Sequence, residues 1–500
     1  MTDIHEQERS SLPDLPPHTD GNHAKRWLVL AVLGIAQLMV VLDATIVNIA
    51  LPAAQRSLEF GDADRQWIIT AYALAFGSLL LLGGRLGDLF GRRKVFIVGL
   101  VGFAVASAVG GAAVNFEMLV AARAGQGVFG ALLAPAALSL LSVTFTDPAE
   151  RAKAFGIFGA IAGAGGALGL LLGGALTEWV DWRWTLFVNL IFAAVALAGA
   201  VALLSPQRSE HRPKLDIPGT VTVSISLFSI VFGFSKAESN GWSSSTTIAW
   251  LVTGAVFMAL FVFLQTRVAN PLLPLRVVLD RIRAGSYLAI FISGAGMFAV
   301  FLFLTFYMQL ILDYSPIVNG VAFMPMVAGI VLSSTISTAV LLPRVGPRIL
   351  LTSGMIIAAV GMALLAQIEV HSSYLPDILP GLIVMGLGMG TIFAPAMQGA
   401  TSGVQPEDSG VASATVNTMQ QVGGSIGTAL LSTVAATAST NYLADRAPSP
   451  EAIAQAAVES YTTTFWWAAG IFAAGAVLVA LVMRSGLLPA AAKGEPVLVH

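Results

Sequence analysis

Along its 500 residues the chain alternates long apolar runs with short polar breaks. The first run covers 27–51, and others follow at 66–86, 95–114, 118–145, 154–177, 184–204 and 216–236. The remainder lie at 246–266, 285–311, 318–342, 348–368, 378–400, 410–437 and 464–484. Each is about 20 residues or longer, enough to cross a ~30 Å hydrocarbon core at ~1.5 Å of rise per residue. The pattern predicts an all-α polytopic membrane protein with 14 transmembrane helices. Residues 1–26 are polar, with Pro13, Pro16 and Pro17, and are expected to form a disordered tail. The run at 27–51 follows an acidic start and is long enough to span, so it reads as a helix of the mature protein rather than a signal peptide.

Composition agrees and narrows the function. The chain is 56% hydrophobic and only 11% charged, with a mean hydropathy of +0.80. A soluble domain carries about 25% charged residues. The loops left over are too short for a separate soluble enzyme domain. A net charge of −2 leaves no basic field for nucleic acid. Without cysteine there is no disulfide, no thiolate nucleophile and no cysteine-built metal cage. The six histidines all fall in tails or short loops, and no metal site is expected. The excess of arginine over lysine suggests a GC-rich bacterial genome.

Lys and Arg set the orientation. Of 26 such residues, Arg56, Arg65, Arg183, Lys236 and Arg446 fall on one side, Arg123 lies within a span, and the remaining twenty share the other side. That bias predicts a plasma-membrane protein with both termini in the cytoplasm. The loop Leu86-Gly-Asp-Leu-Phe-Gly91-Arg92-Arg93 has a weaker copy at Leu341-Leu-Pro-Arg-Val-Gly346-Pro-Arg348. The implied division is a cytoplasmic tail (1–26), a six-helix bundle (27–204), two extra helices with linkers (205–284), a second six-helix bundle (285–484) and a cytoplasmic tail (485–500). Two such halves rocking about a midplane site are the architecture of a transporter.

In hydrocarbon the informative residues are the polar ones. Asp43 is the only acid well inside a span, roughly 25 Å from the expected cytoplasmic edge at ~1.5 Å per residue. A charged Asp at a helix centre costs about 2.5–3.5 kcal/mol on insertion scales. It must be protonated, or meet water, a ligand or a cation, and an acid so balanced can load and release protons. The plainer alternative is a packing role, with Asp43 hydrogen-bonded to Thr45 or Asn48. Arg123 is the only base within a span, at a depth compatible with Asp43, and is read either as its structural counter-ion or as a switch on its proton.

The loop holding Gly84, Asp88, Gly91, Arg92 and Arg93 combines sharp-turning glycines, an acid able to meet a helix N-terminus, and basic residues that anchor to an anionic leaflet. It is read as a cytoplasmic gate latch. Gly156, Gly165, Gly169, Gly173 and Gly174 in the fifth span offer a smooth face for close helix packing. Candidate cavity residues are Gln37, Tyr72, Gln126, Phe306, Gln309, Met389 and Asn417. No Gly-Lys dipeptide occurs, so there is no phosphate-cradling loop for ATP. An ion gradient is the remaining energy source, with no cofactor and no catalytic constellation.

At this point the residues resemble a known family, the fourteen-span drug:proton antiporters of the major facilitator superfamily, over essentially the whole chain. Leu42-Asp43-Ala-Thr45-Ile-Val-Asn48-Ile-Ala50-Leu51-Pro52 is similar to that family's first-span signature, whose Asp couples to protons. Residues 84–94 resemble its cytoplasmic gating motif, with Leu89 where an Arg is frequent. Arg123, Gln126 and Gly127 resemble its span-4 motif, whose Arg is linked to proton transfer. The span-5 glycines resemble its antiporter motif, with Leu170 in place of the usual proline. Asp181-Trp182-Arg183-Trp184 with Asn189, Asp216 with Gly219, Gly241-Trp242 and 271–276 are further landmarks. The resemblance implies the major facilitator fold and proton-coupled efflux of amphipathic compounds, drugs or antibiotics, by a monomer. The alternatives left open are a dedicated carrier of one solute (a siderophore, amino acid or lipid) and a non-transporting membrane sensor.

Overall fold

The computed structural model describes residues 20–61, 64–145, 148–204, 216–269, 271–404, 408–444, 446–447 and 449–486. Most of both expected tails and the 205–215 linker lie outside the described residues. Among those described, the fold is helical throughout, without a strand. In chain order the helices are α1 (Asp20–Leu58), α2 (Arg65–Phe90), α3 (Arg92–Gly111), α4 (Phe116–Thr144), α5 (Pro148–Trp179) and α6 (Trp184–Leu203). Then come α7 (Ile217–Asn240), α8 (Ser245–Gln265) and the short α9 (Leu275–Val278). The last set is α10 (Arg281–Ala299), α11 (Pro316–Ala322), α12 (Met324–Ile336), α13 (Leu342–Leu365), α14 (Leu379–Thr401), α15 (Ser409–Leu443) and α16 (Pro450–Val482). α1 begins at Asp20, inside the expected 1–26 tail.

Among the described residues, 11 stretches are long and apolar enough to cross a membrane. One of them, Pro316–Leu365, has 50 residues, or about 75 Å at ~1.5 Å per residue, far more than one crossing needs. The chain breaks it at Gly346, whose φ of 75° is a left-handed conformation open to glycine. Gly91, between α2 and α3, has a φ of 93°. The two loops that share a sequence pattern thus share a glycine-dependent turn.

Helix ends follow local chemistry. Asn115 accepts from the Met118 N–H (2.8 Å) to start α4, Asp280 accepts from the Ile282 and Arg283 N–H groups at α10, and Ser449 caps α16 ahead of Pro450. α10 continues through wider π-helical turns at Val300–Leu304 and Tyr307–Ile311.

Packing repeats as the loops do. α1 packs on α5 and α6, α2 on α4, and α3 on α4 and α6. In the second set α10 packs on α15 and α16, α12 on α14, and α13 on α14 and α16. Every pairing in the first set has its counterpart in the second. The contacts between sets, α2 on α15 and α5 on α11, exchange under the same correspondence. Outward faces carry exposed Val101, Val105, Ile191, Val195, Val252 and Val256, the apolar surface that lipid covers.

α7 and α8 pack on each other, and α7 also lies against α2 and α15. Buried Asp216 fixes this pair: it accepts from the Gly219 N–H (2.8 Å), from Gln265 Nε2 (2.7 Å) and from the Leu272 N–H (3.2 Å). The following segment is tied to both sets. Arg85 donates to the Pro271 carbonyl (3.2 Å), and Arg276 pairs with Asp408 (2.9 Å).

Candidate functional site

Side chains of α4 and α6 meet at one carboxylate of α1. Asp43 on α1 is fully buried, and Arg123 on α4 is 2% exposed. Arg123 Nη1 donates to Asp43 Oδ2 at 2.5 Å. Asp43 Oδ1 accepts from Gln126 Nε2 and from Asn189 Nδ2, both at 2.7 Å. Arg123 also donates to Gln126 Oε1 (2.8 Å) and, through Nε, to the Ile68 carbonyl (3.2 Å). Ser107 Oγ closes the ring by accepting from Gln126 Nε2 (2.8 Å) and Asn189 Nδ2 (3.4 Å).

The sequence builds this ring by spacing. Arg123 and Gln126 are three residues apart, so they share a face of α4 and both reach Asp43. The α4–α2 approach depends on Gly127, where a Cβ would run into the Tyr72 carbonyl. That closeness sets the Arg123 guanidinium 4.5 Å above the Tyr72 ring, a cation–π contact. The Tyr72 hydroxyl and Asn189 Oδ1 are buried without a partner. Thr45 and Asn48 instead bond back to carbonyls of α1, Thr45 to Val41 and Leu42, Asn48 to Ala44 and Thr45. The plain packing alternative for Asp43 is therefore not the one its contacts follow.

Every polar contact given to Asp43 comes from an N–H, the complement of an ionised carboxylate, which can only accept. The pair is formally neutral and sealed from water. Adding a proton to Asp43 would cancel its charge and strand Arg123 in a low-dielectric site, where an unpaired cation is costly.

The other candidates fall into separate places. Gln126 and Tyr72 belong to the ring, while Gln37 on α1 is half-buried. Phe306 and Gln309 lie between the helix sets: Gln309 Nε2 donates to the Ile49 carbonyl (3.0 Å), and the Arg65 guanidinium sits 3.9 Å over the Phe306 ring. Met389 is buried in the core of the second set, and Asn417 is half-buried on α15. On either side of the Gly91 turn, a Cβ on Gly84 of α2 would touch Pro135 of α4, and Arg93 of α3 donates to the Val201 carbonyl (3.1 Å). Arg92 opens α3, and the Asp88 side chain lies outside the described residues.

The α5 glycines divide by face. A Cβ on Gly165 would meet Val41, on Gly169 Thr45, and on Gly173 Ile46, all on α1. Gly174 faces the other helix set, against the backbone of Pro316 and Ile317, and Gly156 lies nearer the start of α5. Gly320 answers from α11 by abutting the Leu170 carbonyl, and the Ile317 N–H donates to Glu178 (3.0 Å). α5 runs unbroken through Leu170. The ends of the sets near the α1–α2 turn are thus closed on each other. Ser107 and Asn189 are the ring members that sequence reasoning did not assign a role; a lone amide in the apolar run 184–204 was the available signal for Asn189.

Among the described residues, two helix sets with corresponding pairings, a sealed ion pair and the added α7–α8 pair define a membrane carrier built on an internal repeat. The chain belongs to the Major Facilitator Superfamily, whose model matches residues 33–428. It is 48% identical over 478 residues to the puromycin resistance protein pur8 of Streptomyces alboniger, covering 95% of each chain. It is 37% identical to the cephamycin export protein CmcT of Amycolatopsis lactamdurans, covering 81% of this chain and 84% of that one. The tetracenomycin C resistance and export protein of Streptomyces glaucescens is 35% identical, with 86% and 79% covered. Among solved structures, an auto-inhibited POT family peptide transporter superposes with a TM-score of 0.66 at 17% identity, over 93% of this chain and 99% of that one. That likeness concerns the fold.

Proposed function

We propose that this chain exports amphipathic organic compounds, antibiotics among them, in exchange for protons by alternating access. The observation that carries the reading is the buried Asp43–Arg123 pair, a carboxylate whose protonation must unsettle its surroundings. The relatives named for puromycin, cephamycin and tetracenomycin support the substrate class. In this reading Asp43 carries the proton and Arg123 modulates it. Asp88 with Arg92 latches the arginine-rich end, and substrate binds between the helix sets. A proton reaching Asp43 from outside favours the return to an inward-facing state.

Proteoliposomes test this directly. Puromycin and a panel of cationic and neutral dyes should move uphill when a pH gradient is imposed and lose that movement when it is collapsed. A narrow profile, with flux of one solute class only, would favour the dedicated carrier.

The proposal includes fourteen crossings, with both termini and the arginine-rich loops in the cytoplasm. The chain has no native cysteine, so single substitutions give a clean background. Ala447→Cys should react with an impermeant maleimide on intact cells, and Ser209→Cys only after permeabilisation. The reverse pattern would invert the orientation.

A further inference from the structure

α13 and α16 diverge on the outer surface of the second helix set and leave a groove of ≈ 670 Å³. Its walls are almost wholly apolar, with Ile356 and Val360 on one side and Trp466, Gly470 and Val477 on the other. It faces the surroundings of the protein: Ile356 is 52% and Trp466 53% exposed. From Thr352 to Ala363 it extends about 17 Å along α13 at ~1.5 Å per residue, close to the depth of one leaflet of a ~30 Å core.

Arginines stand at one mouth of this groove. Arg281 donates to the carbonyls of Leu481 (3.0 Å) and Val482 (2.8 Å), and Leu481 itself lines the groove. Arg348, one helical turn before Thr352, donates to the Ser485 hydroxyl. Arg484 is the neighbour of Ser485 and is exposed. Two guanidiniums therefore meet the end of α16, and the exposed Arg484 adds a third positive charge beside them. Asp280, the chain neighbour of Arg281, is engaged with the N–H groups that begin α10. The partial negative charge of one helix C-terminus, about half a unit, offsets only a fraction of three positive charges. Each arginine also keeps N–H donors beyond the bonds just described.

We infer that this groove is a binding site for an anionic phospholipid, with an acyl chain between α13 and α16 and the phosphate on Arg281, Arg348 and Arg484. A chain-length apolar slot that ends in surplus positive charge matches a molecule with a long tail and an anionic head. Basic pockets between helices near a membrane surface take such headgroups, each basic residue adding to the attraction.

Trp466 supplies the probe. Purified full-length protein in detergent is titrated with brominated dioleoyl-phosphatidylglycerol or brominated dioleoyl-phosphatidylcholine. The Trp466 share of the quenching is taken by difference from Trp466→Phe. The phosphatidylglycerol should quench that share at an about tenfold lower mole fraction. Arg348→Gln with Arg484→Gln should bring the two lipids level. Gly470→Leu, whose Cβ meets nothing within 4 Å, should fill the slot and weaken both. Equal quenching by the two lipids in the wild type overturns the proposal, as does a preference that survives the double arginine variant. A Trp466 share that neither lipid quenches would mean that a second copy covers the groove, and equally overturns it. Should a variant fail to elute as a single species, the wild-type comparison still decides.

Discussion

Asp43→Asn is expected to abolish uphill efflux and substrate-driven proton release, and to lower stability as well. The amide keeps the shape but cannot exchange a proton near neutral pH. It also leaves Arg123 buried beside a neutral partner, and breaking a buried pair in this way costs about 3–5 kcal/mol. Combining Asp43→Asn with Arg123→Met removes both charges, and apolar replacement of a whole buried pair is frequently neutral or stabilising. The double variant should therefore regain thermal stability in detergent while remaining unable to pump. That split separates lost chemistry from lost fold. Uphill efflux by Asp43→Asn at the wild-type rate would mean that the proton travels by another route.

Gly174→Val should hold the helix sets apart at the end near the α1–α2 turn. The new Cβ would fall on the backbone of Pro316 and Ile317, which cannot rotate aside as a side chain would. Overpacking of this kind costs about 1–3 kcal/mol, roughly a fivefold to 150-fold shift between two conformations. Because Gly174 faces the other set, the cost falls on closure rather than on folding of its own set. Gln309→Cys, at a position 6% exposed in the closed arrangement, reports on it. Its labelling by an aqueous maleimide should rise in the Gly174→Val background while transport falls. Gly169→Val is the contrast: it strikes Thr45 and α1 within the set, so it should reduce folded yield. Unchanged labelling with normal transport in Gly174→Val would show that this contact is not part of the cycle.

What could be read beforehand followed from cost. A charge in hydrocarbon is expensive enough that Asp43 and Arg123 stand out in a bare sequence, and the ring is built around them. Ser107 did not stand out, and Asn189 entered only as a landmark of the resemblance with no role attached, because a neutral hydroxyl or amide is cheap in a span and its partner lies on another helix. The glycine spacing on α5 revealed a close approach without naming the neighbours. Gly165, Gly169 and Gly173 lean on α1, whereas Gly174 closes a different seam. Gly91 and Gly346 could be paired from sequence because a left-handed turn restricts the residue that occupies it. The π-helical turns after Ala299 and the break at Phe323 were not legible within smooth apolar runs. In the second case Pro325, near the start of α12, provides the local reason, since it lacks an N–H to continue the helix.

The neutrality of the sealed pair has an electrical consequence. With Asp43 ionised the site carries no net charge, and a membrane potential does little work on its movement. With a proton added it carries one positive charge, and moving one charge across the membrane is worth about 2.3 kcal/mol per 100 mV. Exchanging one proton for a neutral molecule therefore transfers a charge in each cycle, and exchanging it for a monovalent cation transfers none. A carrier with this site would draw on voltage for neutral substrates and on the pH difference alone for cationic ones, so the energy state of the cell would decide which of them it expels best.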